Sequence, residues 1–448
     1  MDKSDLNDIK TRVKPFIRND GERLFFYDPK DNIWIPNTRD GAARSLNKLL
    51  AAADTQLAAS EAKAVINDIL CDPEFERPLP APPCDMINCK NGILALNELK
   101  LYERPKNPPD KNYFRICLDI DYNPNVHERD CKTFMNFLQN AFDIDLNTKS
   151  EKGLLAHPSV IRLLEMMGYM ISNEYMAKKL LIILGPANSG KSQVLELIRR
   201  VIGYEHTVAL TLDELSGQGG GRFRTELLTK AHALINDELP TKGLKHLAEL
   251  KKIIAGEAIT IEAKGATPKT VKVKTKMLFA GNQLPDLAEA DCGNAFASRL
   301  CVVAFKKAPK ESFRNVNLID DLYKERDAIF SLAIKAFIEL RKNSLVFRSD
   351  SAAESIVQAY KDDNASVITF INDEDVVTTG DGVSLTDLFR HYKDYCLKES
   401  LTPVKGIKAF RQQIVSWPHF SGFNKRRLGK NTNPCSVVEG IDLVRRNL

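Results

Sequence analysis

The chain contains no apolar run near the roughly eighteen residues that a membrane span requires, and its opening, MDKSDLNDIK, lacks the apolar core of a signal peptide. Both absences set aside membrane and secretory classes, so an intracellular protein without a membrane partner is expected. Cysteines are scattered: nine in number, and therefore odd, with Cys84 and Cys89 as the one close pair and no histidine near them. That spacing argues against a disulfide framework and against a zinc site, and favours reduced, mostly buried thiols. Charge of one sign is also scarce, since 64 Lys+Arg face 59 Asp+Glu for a net +5. Global charge therefore makes no case for nucleic-acid binding, and the local distribution has to. Internal repeats and low-complexity segments are missing too. What remains is a 448-residue chain, 43% hydrophobic and 27% charged, suited to a soluble protein of two or three domains with a sizeable core.

One stretch organises the rest. Leu180 to Arg200 reads LLIILGPANSGKSQVLELIRR, in which five apolar residues predict a buried parallel strand that stops at Gly185 and a helix that opens after the loop. The loop fits G-x-x-x-x-G-K-[ST], with Gly185, Gly190, Lys191 and Ser192 on the fixed positions and Pro186, Ala187, Asn188 and Ser189 between them. A phosphate chain needs backbone N–H groups turned inward, and Gly190 removes a side chain that would block them. Lys191 is placed to hold the β and γ phosphates, Ser192 to offer its hydroxyl to Mg²⁺, and the helix beginning near Gln193 to point its dipole at the anion. An ordinary glycine-rich turn is the competing reading.

Before this stretch, Leu24 to Pro36 predicts a hairpin whose aromatics serve a core, and Ala42 to about Leu70 a helical run. Pro78 to Pro83 reads as an extended crossing, and Met86 to Leu96 as a second hairpin turning at Asn91-Gly92. Phe134 to Phe142 and Val160 to Tyr175 read as helices. After it, Thr211 to Arg224 ends in a glycine loop with two arginines. Ala231 to Glu238, AHALINDE, predicts an apolar strand that ends in two carboxylates. Strand C-termini in a parallel sheet face the ligand crevice, so Asp237 is the candidate Mg²⁺ ligand and Glu238 the candidate base that polarises water. A solvated acidic strand end is the alternative.

A lysine-rich helix, Gly243 to Ala255, precedes a hairpin over Ala258 to Lys276 that carries Lys264 and Lys269. Such a run is either a solvated face or a finger touching phosphates of a nucleic-acid backbone. Met277 to Asn282 predicts a third strand whose final Asn282 can hold an attacking water. Arg299, just before another buried strand, is either a surface ion-pair partner or a finger reaching a neighbour's nucleotide. From about residue 350 a small unit is expected: a helix opened by a Ser384/Asp387 capping box, a helix over Lys405 to Val415, and a hairpin bearing Lys425, Arg426, Arg427 and Lys430. Two helices plus a basic hairpin outline a winged helix, with a packing or oligomerisation cap as the alternative.

The order of NGILAL (Asn91 to Leu96), GPANSGKS, NDE, LKKIIAGEAITIEAK (Leu250 to Lys264), AGNQLP (Ala280 to Pro285) and Arg299 resembles superfamily 3 helicases, in particular the helicase half of satellite-phage and poxvirus primase-helicases. Ala255 and Glu257 stand where Gly and Asp are more usual. The resemblance implies an α/β fold: a P-loop, AAA+-like parallel-sheet ATPase core over residues 126–345, an α+β collar over 1–125 and a winged-helix-like domain over 346–448. It implies ATP and Mg²⁺ held by Gly185 to Gln193 with Asp237, a sensor Asn282, and Arg299 supplied in trans within a homo-oligomeric, hexameric ring. Lys264 and Lys269 would line the channel. The implied role is an ATP-driven replicative DNA helicase of a phage or mobile element in the bacterial cytoplasm, with priming and polymerisation left to separate proteins. An ATP-controlled, origin-binding replication initiator is the alternative. A small-molecule kinase fits less well, because it explains neither the lysine hairpin nor the basic tail.

Overall fold

The computed structural model describes the chain apart from residues 1–2, 22, 52–54, 105–112, 146–152, 217–226, 241–243, 245–246, 262–267, 286, 288–292, 314, 372, 374–376, 400–405, 416, 418, 429–432 and 445–448. The expected glycine loop with its arginines and the tips bearing Lys264 and Lys430 fall outside the described residues. Among the described residues no helix is long and apolar enough to cross a membrane. The architecture is mixed α/β around a five-stranded parallel sheet.

The N-terminal unit has a helix α1 (Lys3–Val13) and an antiparallel sheet of β1 (Ile17–Asn19), β2 (Leu24–Asp28) and β3 (Ile33–Asn37), the last two forming the expected hairpin. The expected single helix after it is two helices, α2 (Arg39–Ala51) and α3 (Ala59–Cys71). The break has a local cause. Asn47 donates to Leu57 O at 3.0 Å and accepts from Leu57 N at 3.1 Å, and Glu61 accepts from Ala58 N at 3.1 Å, so side chains satisfy the backbone that a continuous helix would have used.

A second antiparallel sheet comprises β4 (Met86–Cys89), β5 (Gly92–Ala95) and β6 (Lys100–Tyr102). Its first turn corrects the expectation of an Asn91-Gly92 turn. Cys89 pairs with Gly92, so Lys90 and Asn91 fill the loop and Gly92 begins β5 at φ +147°. Glycine is needed there because a Cβ would lie 2.5 Å from Tyr102 O.

The central sheet runs in the order β13 (Leu300–Ala304), β7 (Leu180–Leu184), β12 (Lys276–Gly281), β9 (Ala233–Asn236), β8 (Thr207–Val208). Alternation splits each strand between two faces. Leu181 and Ile183 join Leu278, Ala280 and Val303 in a core shared with α4 (Lys132–Phe142), α5 (Pro158–Ile171), α6 (Lys191–Ile202) and the residues of β4 and β5. Leu180, Ile182, Met277, Phe279 and Val302 face the other way, onto α7 (Leu247–Ala255) and the hairpin of β10 (Ala258–Ile261) and β11 (Lys269–Lys272). Both faces being covered explains why these strands read as continuous apolar runs. The first core is closed by α8 (Arg326–Lys342), packed on α5.

A long helix α9 (Ser351–Ile371) joins two cores. Ala353 belongs to the central one and Tyr360 donates to Pro285 O at 2.7 Å, whereas Val367, Phe370 and Ile371 enter the C-terminal core. That core holds β14 (Val377–Ser384), α10 (Leu385–Lys398), α11 (Ile407–Ile414), β15 (Gly422–Arg426) and β16 (Cys435–Leu443), with sheet order β14-β16-β15. Leu385, Leu388 and Tyr392 of α10 are buried as the helical spacing required. The expected capping box does not form. Ser384 is still paired with Val437 in β14 and makes no capping bond, while Asp387 binds Arg390 at 2.8 Å.

Candidate functional site

The site begins where β7 ends. Gly185 N donates to Gly281 O at 3.2 Å, tying the start of the loop to the end of β12. A Cβ on Gly185 would meet Phe305 Cβ at 2.8 Å and Phe305 O at 2.9 Å, so the chain needs glycine to pass that residue. Asn188 and Gly190 take left-handed backbone at φ +62° and +90°, which bends the loop back before α6 starts at Lys191. On Gly190, a Cβ would lie 2.4 Å from Phe137 Cε2. Glycine is therefore required on the outer side of the turn by an aromatic wall, beyond the inner clearance that the sequence pattern alone supplies. Phe137 is itself fixed edge-on against Phe305, with ring centroids 5.7 Å apart.

Lys191 folds into the turn it follows. Its Nζ donates to Gly185 O at 2.8 Å, Pro186 O at 2.8 Å and Asn282 Oδ1 at 3.1 Å. Only 9% of the residue is exposed, and this burial pushes the ammonium below its ordinary range. Its partners are all neutral acceptors. No carboxylate among the described residues lies within ion-pair distance, so the concavity carries an uncompensated positive charge that suits an anion. Within the same turn Ser189 is buried, and its Oγ has no hydrogen-bond partner among the described residues.

The strand register places the other candidates beside this loop. Ile182, Phe279 and Asn236 are level across β7, β12 and β9, so Asp237 and Glu238 follow on the same edge of the sheet as Gly185 and Asn282. Both acids are exposed, as are Ser192, Pro186, Ala187 and Asn188, while Gln193 is half-buried in the first turn of α6. Glu238 is anchored through its backbone, its N donating to Asn236 Oδ1 at 2.9 Å. Next to the loop lies a cleft of about 250 Å³, bordered by Asn136, Phe137, Asn140, Gly190, Asn315 and Leu318. The sequence reading missed this wall. α4 was legible only as an amphipathic helix, and nothing in its spacing distinguishes Phe137 from a core aromatic.

Arg299 stands apart from that edge. It precedes Leu300, which pairs with Leu180 at the opposite end of β7, and its Nη1 donates to Ala295 O at 2.6 Å. Lys269 is exposed at the start of β11, opposite Ile261. Lys425 and Arg427 are exposed on and just after β15, while Arg426 is turned to its own sheet, with Glu439 at 3.7 Å and a bond to Asp381 O. Of the eight described cysteines, all free, Cys89, Cys131, Cys301 and Cys396 are buried.

Residues 13–143 match the family described as D5 N terminal like, and residues 183–295 match a family of unknown function, DUF5906. No curated protein matches the chain. Among solved structures it is similar to the A form apo structure of NrS-1 C terminal region-CTR, at 12% identity and TM-score 0.40, with 93% of this chain and 96% of that one covered. It is also similar to the apo structure of NrS-1 C terminal region, at 13% identity and TM-score 0.43, with 98% and 99% covered. The chain is a mixed α/β protein with a parallel central sheet, and the region ahead of that sheet matches the D5 N terminal like model.

Proposed function

We propose that this protein is a phage-type primase-helicase replication protein whose loop at Gly185 to Ser192 binds ATP and whose hydrolysis of ATP drives movement along DNA. The observation that carries the reading is the Lys191 ammonium, held inside the glycine turn by neutral acceptors and by Asn282, with Asp237 and Glu238 on the same sheet edge. The D5 N terminal like match ahead of this loop supports a replication role. A Mg²⁺-bound triphosphate supplies the bond that is broken and the charge that these side chains answer. Lys191 would turn from the Gly185 and Pro186 carbonyls to the phosphates, Ser192 and Asp237 would hold the cation, and Asn282 and Glu238 would position and polarise water. The cleft against Phe137 would take the base. Arg299 acts on the site of an adjoining copy in a hexameric ring, and Lys264 and Lys269 on the β10–β11 hairpin grip the strand.

Strand displacement on a forked duplex tests the reading: ATP-dependent unwinding is expected, with steep weakening as salt rises. ATP turnover that DNA never stimulates, over a range of salt and without unwinding, contradicts it. One observation favours the initiator as a second reading. The C-terminal order of helix, strand, two helices and a hairpin with exposed Lys425 and Arg427 supports a winged-helix reading. Footprinting on the element's origin, with the full chain and with Lys425 and Arg427 replaced by Ala, separates the two.

A further inference from the structure

The β1–β2–β3 sheet has two faces. Ile17, Leu24 and Phe26 enter the N-terminal core, while Phe25, Tyr27 and Trp34 turn to the other side. On that second side the Arg18 guanidinium lies 5.3 Å from the Trp34 ring centre and 4.7 Å from that of Tyr113, and donates to Tyr113 Oη at 3.2 Å. Arg23 and Arg115 share the Phe25 ring, at 5.1 Å and 5.8 Å. Phe25 is the direct cross-strand partner of Arg18. Arg77 completes the group, donating to Lys14 O at 2.6 Å and to Ile17 O at 3.3 Å, one residue before Arg18.

The charges of this group are poorly balanced. Asp20 binds Arg23 at 3.3 Å and also attracts Arg115 from further away, and Glu74 is taken by Lys14 at 2.6 Å. Among the described residues no carboxylate comes within ion-pair distance of Arg18, Arg77 or Arg115. The Nε atoms of Arg23, Arg77 and Arg115 are buried without a hydrogen-bond partner among them. Burial and the neighbouring Arg18 lower the pKa of Arg77, and burial and Arg23 lower that of Arg115, which is the signature of like charges held together. The half-buried guanidiniums of Arg18, Arg77 and Arg115 are thus held close together without a carboxylate partner among the described residues, an arrangement that an incoming anion would neutralise.

We propose that this arginine face is a second anion site, distinct from the Gly185 loop, and that it holds the phosphate backbone of a DNA strand. Trp34 and Phe25 are 1% and 0% exposed, so they stiffen the guanidiniums and leave no ring face for a base. Recognition is therefore of phosphates, by planar forks, without sequence preference. Several cations side by side suit a repeating anion better than a single one. The inference rests on this geometry alone and stands or falls independently of the nucleotide reading.

The test is fluorescence anisotropy of a labelled oligothymidylate with the full chain, without nucleotide. The R18Q/R115Q double variant is expected to bind about 10–100-fold more weakly, with the salt slope reduced by roughly two, one for each lost phosphate contact. The Lys191→Ala chain should bind as the parent does. An abasic strand should match the oligothymidylate, and loss of binding to it would overturn backbone recognition. Unchanged affinity and slope in the double variant would overturn the site. As a measurement independent of any arginine change, Trp417→Phe leaves Trp34 as the only tryptophan of the two in the chain. Its emission should shift on saturation with the strand, and a flat signal would equally overturn the proposal.

Discussion

Lys191 Nζ donates to Asn282 Oδ1 at 3.1 Å, joining the loop after β7 to the residue that follows β12. The pair is expected to divide its work. Lys191→Ala should lower ATP turnover by about a hundredfold or more, because it deletes the charge that answers the phosphates. Asn282→Ala should cut kcat by roughly 10–100-fold while KM for ATP changes by less than about threefold, because a water-positioning group acts in the transition state. Steady-state kinetics on both variants checks the split, and an Asn282→Ala protein with normal kcat would remove the sensor role.

Gly190 is constrained twice, by its φ of +90° and by Phe137 Cε2 standing 2.4 Å from any Cβ. Gly190→Ala should therefore destabilise the chain by roughly 2–4 kcal/mol, combining left-handed strain with an overpacked contact. Shortening the wall separates the two causes. Phe137→Leu in the Gly190→Ala chain should recover the packing part while the backbone part remains, as read from urea denaturation midpoints at constant m-value.

Much of this site was legible in the residues themselves, for a physical reason. The loop is local: its turn, lysine and flanking strand lie within one stretch, and Leu180 to Leu184 could only be a strand covered on both faces. The common placement of Asp237, Glu238 and Asn282 was legible because a parallel sheet brings strand ends to one edge. What failed was decided by partners distant in sequence. The break between α2 and α3 depends on Asn47 reaching Leu57, the turn before β5 on β6 crowding Gly92, and the missing cap on Ser384 remaining bonded to β16. The Phe137 wall and the arginine face need contacts between α4 and the loop and between residues 18, 77 and 115, which no periodicity encodes.

Lys276 is a buried lysine at the start of β12, donating to Ser172 O, with His232 Nε2 at 3.1 Å from its Nζ and at 3.0 Å from Met170 O. Burial is the main cause that pushes it down to about 7, and burial with the Lys276 charge holds His232 well below its usual range. A base whose folded pKa is depressed destabilises the fold wherever the unfolded chain binds its proton. Stability is expected to rise as pH climbs from about 7 toward 10.5 through Lys276, and to fall below about 6.5 as the unfolded chain protonates its counterpart of His232. Lys276→Met should flatten the alkaline rise and leave the acid loss, as measured by chemical denaturation across pH. An unchanged alkaline slope would show that Lys276 keeps its proton throughout.

Arg299 sits at the wrong end of β7 to serve its own loop. Leu300 is level with Leu180 and the loop starts after Leu184, a strand's length of roughly 15 Å away at about 3.3 Å per residue. Any part it plays in hydrolysis must therefore be played on another copy's nucleotide. Arg299→Ala should bind ATP nearly as the parent does and turn it over about a thousandfold more slowly, within the range of a lost arginine finger. Mixing it with Lys191→Ala protein should restore activity, since roughly a quarter of the contacts in an equimolar random ring join an intact lysine to an intact arginine. Turnover in the mixture no greater than the sum of the separate variants would show that Arg299 is confined to its surface bond with Ala295.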